Sequence, residues 1–342
     1  MREFKIETKN GTSNVIVGES IKNVLKYLPT KDVFIITDSE VYRQYASLFP
    51  SFAVFEITPG ETSKSFDCVT EIYSWLIGNE ANRHSFVLGI GGGVVSDIAG
   101  FVASTYMRGV EFGFVSTTLL SQVDASVGGK NGLNYGNVKN VIGTIRQPKF
   151  VLCDGELLSS LSEPEYVAGL AEVVKHALIA DYEMFKFLEN HYTEVLNRSV
   201  YSINYMVERS VAIKSAIVQA DEFENNIRKK LNLGHTWGHA VEVCHGLRHG
   251  ESISIGLVFA AQLSLRRLLI THQECDRIVG LLRKLGLPTI ISGNFDEILS
   301  VVQNDKKRFG KNIDFVLMQG VGSVEIERIA LSELHEFVAT FK

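Results

Sequence analysis

The chain has 342 residues, of which 45% are hydrophobic and 21% charged; that is room for two domains with cores of their own and too apolar a composition for a disordered chain. A formal net charge of -5 excludes a broad nucleic-acid or anionic-membrane surface, which needs clustered Lys and Arg, so any phosphate contact is local. The opening MREFKIETKNG carries charges and no apolar h-region, and no apolar run is long enough to span a bilayer, which predicts a cytoplasmic protein.

Through the first half, β-rich runs alternate with helical patterns: DVFIITD then SEVYRQYASLF, FAVFEIT then SFDCVTEIYSWLIG, SFVLGIGGG then VVSDIAGFVASTY, and EFGFVSTT. This alternation predicts a mainly parallel sheet flanked by helices. Continuous apolar runs such as FVLGI suit strands buried on both faces, and ligands of such sheets bind beyond the carboxyl ends of the strands. After FVLCD long helical stretches take over, beginning with SEPEYVAGLAEVVKHALIADYEMFKFLEN, where Pro164 suits a first turn. The predicted organisation is an α/β domain over residues 1–155 and an all-α domain over 156–342, with a short extended segment before the last helix. Cys68, Cys153, Cys244 and Cys275 form no CxxC pair and read as small buried residues, not as a disulfide framework or a thiolate metal site.

The strand ending in GIGGG runs straight into a helix, so backbone amides and a helix N-terminus could face an anion there. The spacing departs from GxGxxG, with Val94 in the last glycine position, and the segment read alone is equally a tight strand-to-helix turn, with Asp97 a dipole-complementing acid. Next, STTLLSQVDASVGGKNGLN gathers Thr117, Thr118, Asp124 and Lys130 at the edge where a ligand is expected.

LNLGHTWGHAVEVCHGLRHGE holds His235, His239, His245 and His249. His235 and His239 share a helical face, and a turn through Gly246 could return His249 to the same place. Imidazoles suit zinc, and a catalytic zinc takes three protein ligands, so a carboxylate is expected as the third; spacing does not choose it. HEXXH is absent. In AEVVKH, Glu172 and Lys175 lie one turn apart and, alone, read as a surface ion pair. Glu224, Arg228 and Asn232 at four-residue steps read as a charged solvent face, and Lys306 and Lys307 in DKKRFG as an exposed basic loop.

Taken together, GGGVVSD, STTLLSQVDASVGGK, VKNVIG, AEVVKH, LNLGHTWGHAVE, HGE and DKKRFG occur in the order of the motifs of the 3-dehydroquinate synthase family, and the chain resembles that family over nearly its whole length. The resemblance implies an N-terminal NAD-binding domain, a helical metal- and substrate-binding domain, a homodimer, and zinc, with cobalt as a substitute, on Glu172, His235 and His249. It implies NAD contacts from Asp38, Gly60, Glu61, Lys64, Gly92, Gly93, Asp97, Thr117, Thr118, Lys130, Lys139 and Ser160. It implies substrate contacts from Arg108, Asp124, Lys130, Asn140, Lys175, Lys214, Arg228, Asn232, His239, Lys306 and Lys307. Lys130, Lys175, Lys214, Glu224 and His239 carry the implied catalytic roles. Ser96, Asn131, Val138 and Ala177 depart from the family pattern without removing a charged or metal-binding residue.

The implied reaction converts a phosphorylated sugar acid, 3-deoxy-D-arabino-heptulosonate 7-phosphate, to 3-dehydroquinate and phosphate. Three rivals stand beside it: another sugar-phosphate cyclase with the same cofactors, a metal-dependent polyol dehydrogenase, and a nucleotide-binding scaffold without activity. The abundance of anion-binding candidates argues against the dehydrogenase, which has no phosphate to expel.

Overall fold

The computed structural model describes residues 1–136, 138–291, 295–303 and 308–340. The chain divides into two compact units, one of Met1–Ser162 with Ile203–Phe223 and the other of Glu163–Ser202 with Glu224–Lys342.

In chain order the first unit contains β1 (Arg2–Thr8), β2 (Gly11–Val17), β3 (Val33–Asp38), α1 (Ser39–Tyr45), β4 (Ala53–Ile57), α2 (Phe66–Gly78), β5 (Phe86–Gly91), α3 (Gly93–Thr105), β6 (Glu111–Ser116), β7 (Lys130–Tyr135), β8 (Val138–Ile145) and β9 (Phe150–Cys153). Seven of these strands form one sheet in the order β1-β2-β9-β6-β5-β3-β4, parallel at every pairing except the β1–β2 hairpin. The fully buried run FVLGIG of β5 sits in the middle, as its unbroken apolar pattern requires, and the half-exposed β4 closes one edge. Ile35, Leu88, Ile90, Val115 and Leu152 build the core, with Phe86 and Phe150 stacked at 6.0 Å.

The topology sets the position of the ligand edge. From β3 the chain moves outward to β4 and then returns to the other side of β3 as β5, so the crossovers diverge beyond the carboxyl ends of β3 and β5. A switch point of this kind opens a crevice for a ligand. A separate hairpin, β7–β8, carries a bulge between Leu133 and Tyr135.

The chain continues with α4 (Glu163–Ala180), α5 (Tyr182–Asn190), α6 (Tyr192–Leu196), α7 (Val200–Ala220), α8 (His235–His245), α9 (His249–Arg266), α10 (His272–Lys284), α11 (Phe295–Gln303), β10 (Arg308–Phe309), β11 (Asn312–Met318), β12 (Val324–Ala330) and α12 (Leu331–Thr340). Most of α7 belongs to the first unit. The expected class, a mainly parallel α/β half and a helical half, describes the chain, with one correction to the all-α part: β10, β11 and β12 form a three-stranded antiparallel sheet. The reason is periodicity. In NIDFVLM, Ile313, Phe315 and Leu317 enter the core on a period of two, against Trp237 and Phe259, whose rings stack at 3.9 Å. Among the described residues no helix is long and apolar enough to cross a membrane, and all four cysteines are free.

Candidate functional site

In the second unit, three helices are brought unusually close by glycines. A Cβ added to Gly250 of α9 would stand 1.9 Å from the carbonyl oxygen of Ala168 on α4, and one added to Gly256 of α9 would stand 1.9 Å from that of Gly234, the residue before α8. No side chain fits at either place. The consequence is local: Gly250 follows His249, Gly234 precedes His235, and Ala168 lies one turn before Glu172.

These three side chains converge. The Glu172 carboxylate, fully buried, has Oε1 3.4 Å from His249 Nε2 and 3.6 Å from His235 Nε2. Ligand atoms at tetrahedral angles about 2.0–2.1 Å from a zinc ion stand roughly 3.3–3.4 Å apart, so the donor set fits a divalent ion. Lys175, also buried, places its ammonium on Oε2 of Glu172, which leaves Oε1 turned to the imidazoles. The sequence reading of this pair as a surface ion pair is therefore corrected: from Ala168 to Ile179 every residue of α4 is buried, so the charges of that stretch lie inside.

The imidazoles are held at their other nitrogens. His235 Nδ1 lies 3.1 Å from the Leu233 carbonyl oxygen and His249 Nδ1 3.1 Å from Glu242 Oε2. Burial, with the nearby Lys175 charge, keeps the His235 pKa well below the usual histidine range. For His249 burial works the same way, but the Glu172 and Glu242 carboxylates override it and lift the pKa to about 9. His239 is exposed, its ring 5.1 Å from that of His235 and 5.8 Å from that of His249. It stands beside the cluster, one helical turn past His235.

Glu224, Arg228 and Asn232 do not lie on an α-helix. Ile227–Asn232 is a 3-10 turn, Glu224 has a left-handed backbone (φ 60°), Asn232 donates to the Glu224 carboxylate, and Arg228 is buried with 2% of its surface exposed. The solvent-face reading of these steps is corrected on that ground. Lys306 and Lys307 lie outside the described residues.

In the first unit the carboxyl ends of the strands carry the expected nucleotide candidates. Asp38, last residue of β3, accepts from Val41 N at 2.8 Å, and burial pushes its carboxyl above the usual range. α3 starts at Gly93 from Gly92 with no side-chain cap, so its first N–H groups remain open. Thr117 follows β6, its N–H on the Gly91 carbonyl at 3.0 Å, and its hydroxyl is buried with no hydrogen-bond partner among the described residues. Thr118 packs against Gly92, where a Cβ would stand 3.0 Å from its methyl group. An open helix terminus beside an orphan hydroxyl at a switch point suits a dinucleotide phosphate.

Residues expected separately for cofactor and substrate form one hydrogen-bonded group. Lys64 donates to Asp97 Oδ2 at 2.6 Å and to the Asn140 carboxamide, and faces Glu61 Oε1 at 3.5 Å. Burial raises the Asp97 pKa, while the Lys64 ammonium opposes the shift. Asn134, which the sequence reading passed over, ties the group together: its N–H donates to Lys64 O, its amide to Glu61 Oε1, and its oxygen accepts from Asn140 N, all at 2.9 Å. Asn140 itself is left-handed (φ 51°) and Gly60 has φ 105°.

Lys214 of α7 donates to the carbonyl of Asp124 at 2.6 Å and to its carboxylate. Ser160 meets the hydroxyl of Tyr45, while Lys130 and Lys139 begin and flank the hairpin as exposed residues. Arg108 is exposed on a left-handed turn (φ 65°) and makes no side-chain hydrogen bond or ion pair among the described residues. Asn131, one of the departures from the family pattern, donates to the Gly129 and Arg146 carbonyls at 2.9 and 3.2 Å and packs on Gly100.

Residues 54–168 match the family model described as 3-dehydroquinate synthase N-terminal, and residues 169–308 the one described as 3-dehydroquinate synthase C-terminal. A 3-dehydroquinate synthase of Thermoanaerobacter sp. (strain X514) is 40% identical over 330 residues, 93% of this chain and 92% of its own length. Among solved structures, 2-deoxy-scyllo-inosose synthase complexed with carbaglucose-6-phosphate, NAD+ and Co2+ superposes with a TM-score of 0.88 at 25% identity, covering 98% of this chain and 99% of its own. The 2-epi-5-epi-valiolone synthase of Streptomyces hygroscopicus subsp. jinggangensis, with NAD+ and Zn2+ bound, gives 0.87 at 25% identity over 100% of this chain and 99% of its own.

Proposed function

The chain belongs to the 3-dehydroquinate synthase family, and we propose that it converts 3-deoxy-D-arabino-heptulosonate 7-phosphate to 3-dehydroquinate and phosphate, using NAD that is regenerated in each turnover and a zinc ion on Glu172, His235 and His249. The observation that carries the reading is the convergence of one buried carboxylate and two imidazole nitrogens at ligand spacing. When bound, the ion supplies a Lewis acid at a substrate hydroxyl and the nicotinamide a reversible hydride acceptor.

Transient oxidation at C5 makes the neighbouring C6 proton acidic, and the phosphate then leaves by elimination. The chain's part in that step is charge neutralisation, for which Lys130, Lys175 and Arg228, with Arg108 and Lys306 or Lys307, are the candidate cations. His239, exposed beside the ligand pair, and Lys214, held on Asp124, move and hold the proton at the C5 oxygen, with Glu224 ordering water through Asn232. After the ketone is reduced again, ring opening and an intramolecular aldol closure complete the carbocycle, favoured by confinement of a single conformer. Lys64, Asp97, Asn140 and Glu61 form the nucleotide-side group, joined by Asp38, Gly60, Gly92, Gly93, Thr117, Thr118, Lys139 and Ser160. The same reading carries a homodimer in the cytoplasm, checked by light scattering and cell fractionation.

The rival reading, another sugar-phosphate cyclase, makes glucose 6-phosphate and sedoheptulose 7-phosphate the competing substrates, and the likeness to two other cyclases gives it its weight. Metal-loaded protein is incubated with each sugar phosphate and substoichiometric NAD, and phosphate and carbocyclic product are followed. Phosphate release from the heptulosonate far beyond the NAD supplied supports the proposal. NADH accumulating in step with product, or turnover of a competing substrate alone, overturns it.

A further inference from the structure

The two imidazoles of the cluster are supported differently. An imidazole that offers Nε2 to a metal carries its proton on Nδ1, and that proton needs an acceptor. For His235 the acceptor is a neutral backbone carbonyl, Leu233 O, at 3.1 Å. For His249 it is a carboxylate, Glu242 Oε2, also at 3.1 Å. Glu242 is nearly buried on α8, one turn past His239 and two turns past His235, so its carboxylate is held against the imidazole by the same helix that supplies His235.

We propose that Glu242 is a positioning residue for the metal centre: its carboxylate accepts the Nδ1–H of His249, fixes that tautomer and aims Nε2 at the ion shared with Glu172 and His235. The inference rests on the metal reading above. Glu242 is not a ligand of that same ion, because its carboxylate lies at Nδ1, on the side of the ring away from the Glu172 oxygen that faces Nε2 at 3.4 Å. A carboxylate holds the Nδ1–H more firmly than a backbone carbonyl does, so the bond of His249 to the ion is the one that weakens when the carboxylate goes.

The test is metal affinity, independent of turnover. Zinc dissociation constants are measured by chelator competition for the parent, Glu242→Gln and Glu242→Ala, together with the visible spectrum of each cobalt-loaded protein. Glu242→Ala should weaken zinc binding by about 10–100-fold, the usual effect of losing a ligand's outer partner. Glu242→Gln should fall between parent and Ala, because its carboxamide oxygen still accepts the Nδ1–H without the charge, and both variants should shift the cobalt band. Variants that bind zinc within about two-fold of the parent, a difference below roughly 0.5 kcal/mol, with unchanged cobalt spectra, overturn this inference alone. A parent that takes two ions and loses one in Glu242→Ala overturns it in favour of a ligand role. A parent that takes up no zinc overturns the metal reading and this inference with it.

Discussion

Gly250→Ala tests whether close helix approach assembles the metal centre. The new Cβ would stand 1.9 Å from Ala168 O and 2.5 Å from Ala168 C. A carbon and a carbonyl oxygen normally come no closer than about 3.3 Å, so α9 and α4 must separate there by about 1.4 Å. His249 is the residue next to the substitution and Glu172 is one turn along α4 from Ala168, and their ligand atoms now stand 3.4 Å apart. Metal sites tolerate departures of only about 0.2 Å in ligand distance, so even a fraction of that separation removes one ligand. The expected outcome is a loss of zinc affinity larger than the roughly 10–100-fold of an outer-partner change. It comes with a modest overpacking cost of about 1–3 kcal/mol in the metal-free protein. Gly280→Ala is the control: that glycine lies in α10 with nothing within 4 Å of an added Cβ, and should gain about 0.5–1 kcal/mol while leaving zinc binding alone. The assay is chelator competition alongside urea unfolding of both variants. A Gly250→Ala protein that holds zinc as the parent does would refute the argument, whatever its stability.

Glu172→Gln should abolish zinc binding and, by leaving the buried Lys175 ammonium without its carboxylate, cost about 3–5 kcal/mol of unfolding free energy in metal-free protein. Adding Lys175→Met should restore part of that stability without restoring zinc; urea midpoints that do not recover would count against the buried pair. Lys64→Met removes the cation joining Asp97 to Asn140 and should weaken NAD binding by about tenfold or more, read by fluorescence titration. Asp314 is held below its usual carboxylate range by Arg328 and Lys229, against the effect of burial. A carboxyl with a depressed folded pKa contributes stability that is present above its unfolded value and lost as pH falls through the folded one. Asp314→Asn should therefore be less stable than the parent at neutral pH and should lose less stability between neutral and strongly acidic pH, followed by thermal unfolding across pH.

The parts of the site legible in the sequence are those whose neighbours in the chain are also neighbours in space. The run FVLGIGGG could be read as a buried strand meeting a helix because one segment contains the strand, the turn and the open amides, and β5, Gly92 and α3 follow that order. His235 and His239 were legible for the same reason, being one helical turn apart. Glu172 was legible through the family resemblance and not through spacing, because what brings its carboxylate to the imidazoles is contributed elsewhere: α4 presents it, but the imidazoles come from α8 and α9, and the helices approach where glycines at 250 and 256 lack the Cβ atoms that would hold them apart. A signal was available in AGLAEVVKHALIA, since a helical stretch with apolar residues on every side is buried and must carry its charges inward; periodicity alone reads Glu172 and Lys175 as a surface pair. Asn134 and Glu242 escaped for a further reason. Neither residue type announces a role, and each acts through a hydrogen bond to a residue that does, Asn140 in one case and His249 in the other. Local chemistry thus identifies the groups that touch a ligand, whereas the groups that aim them become visible only when packing has fixed which nitrogen, oxygen or amide faces which.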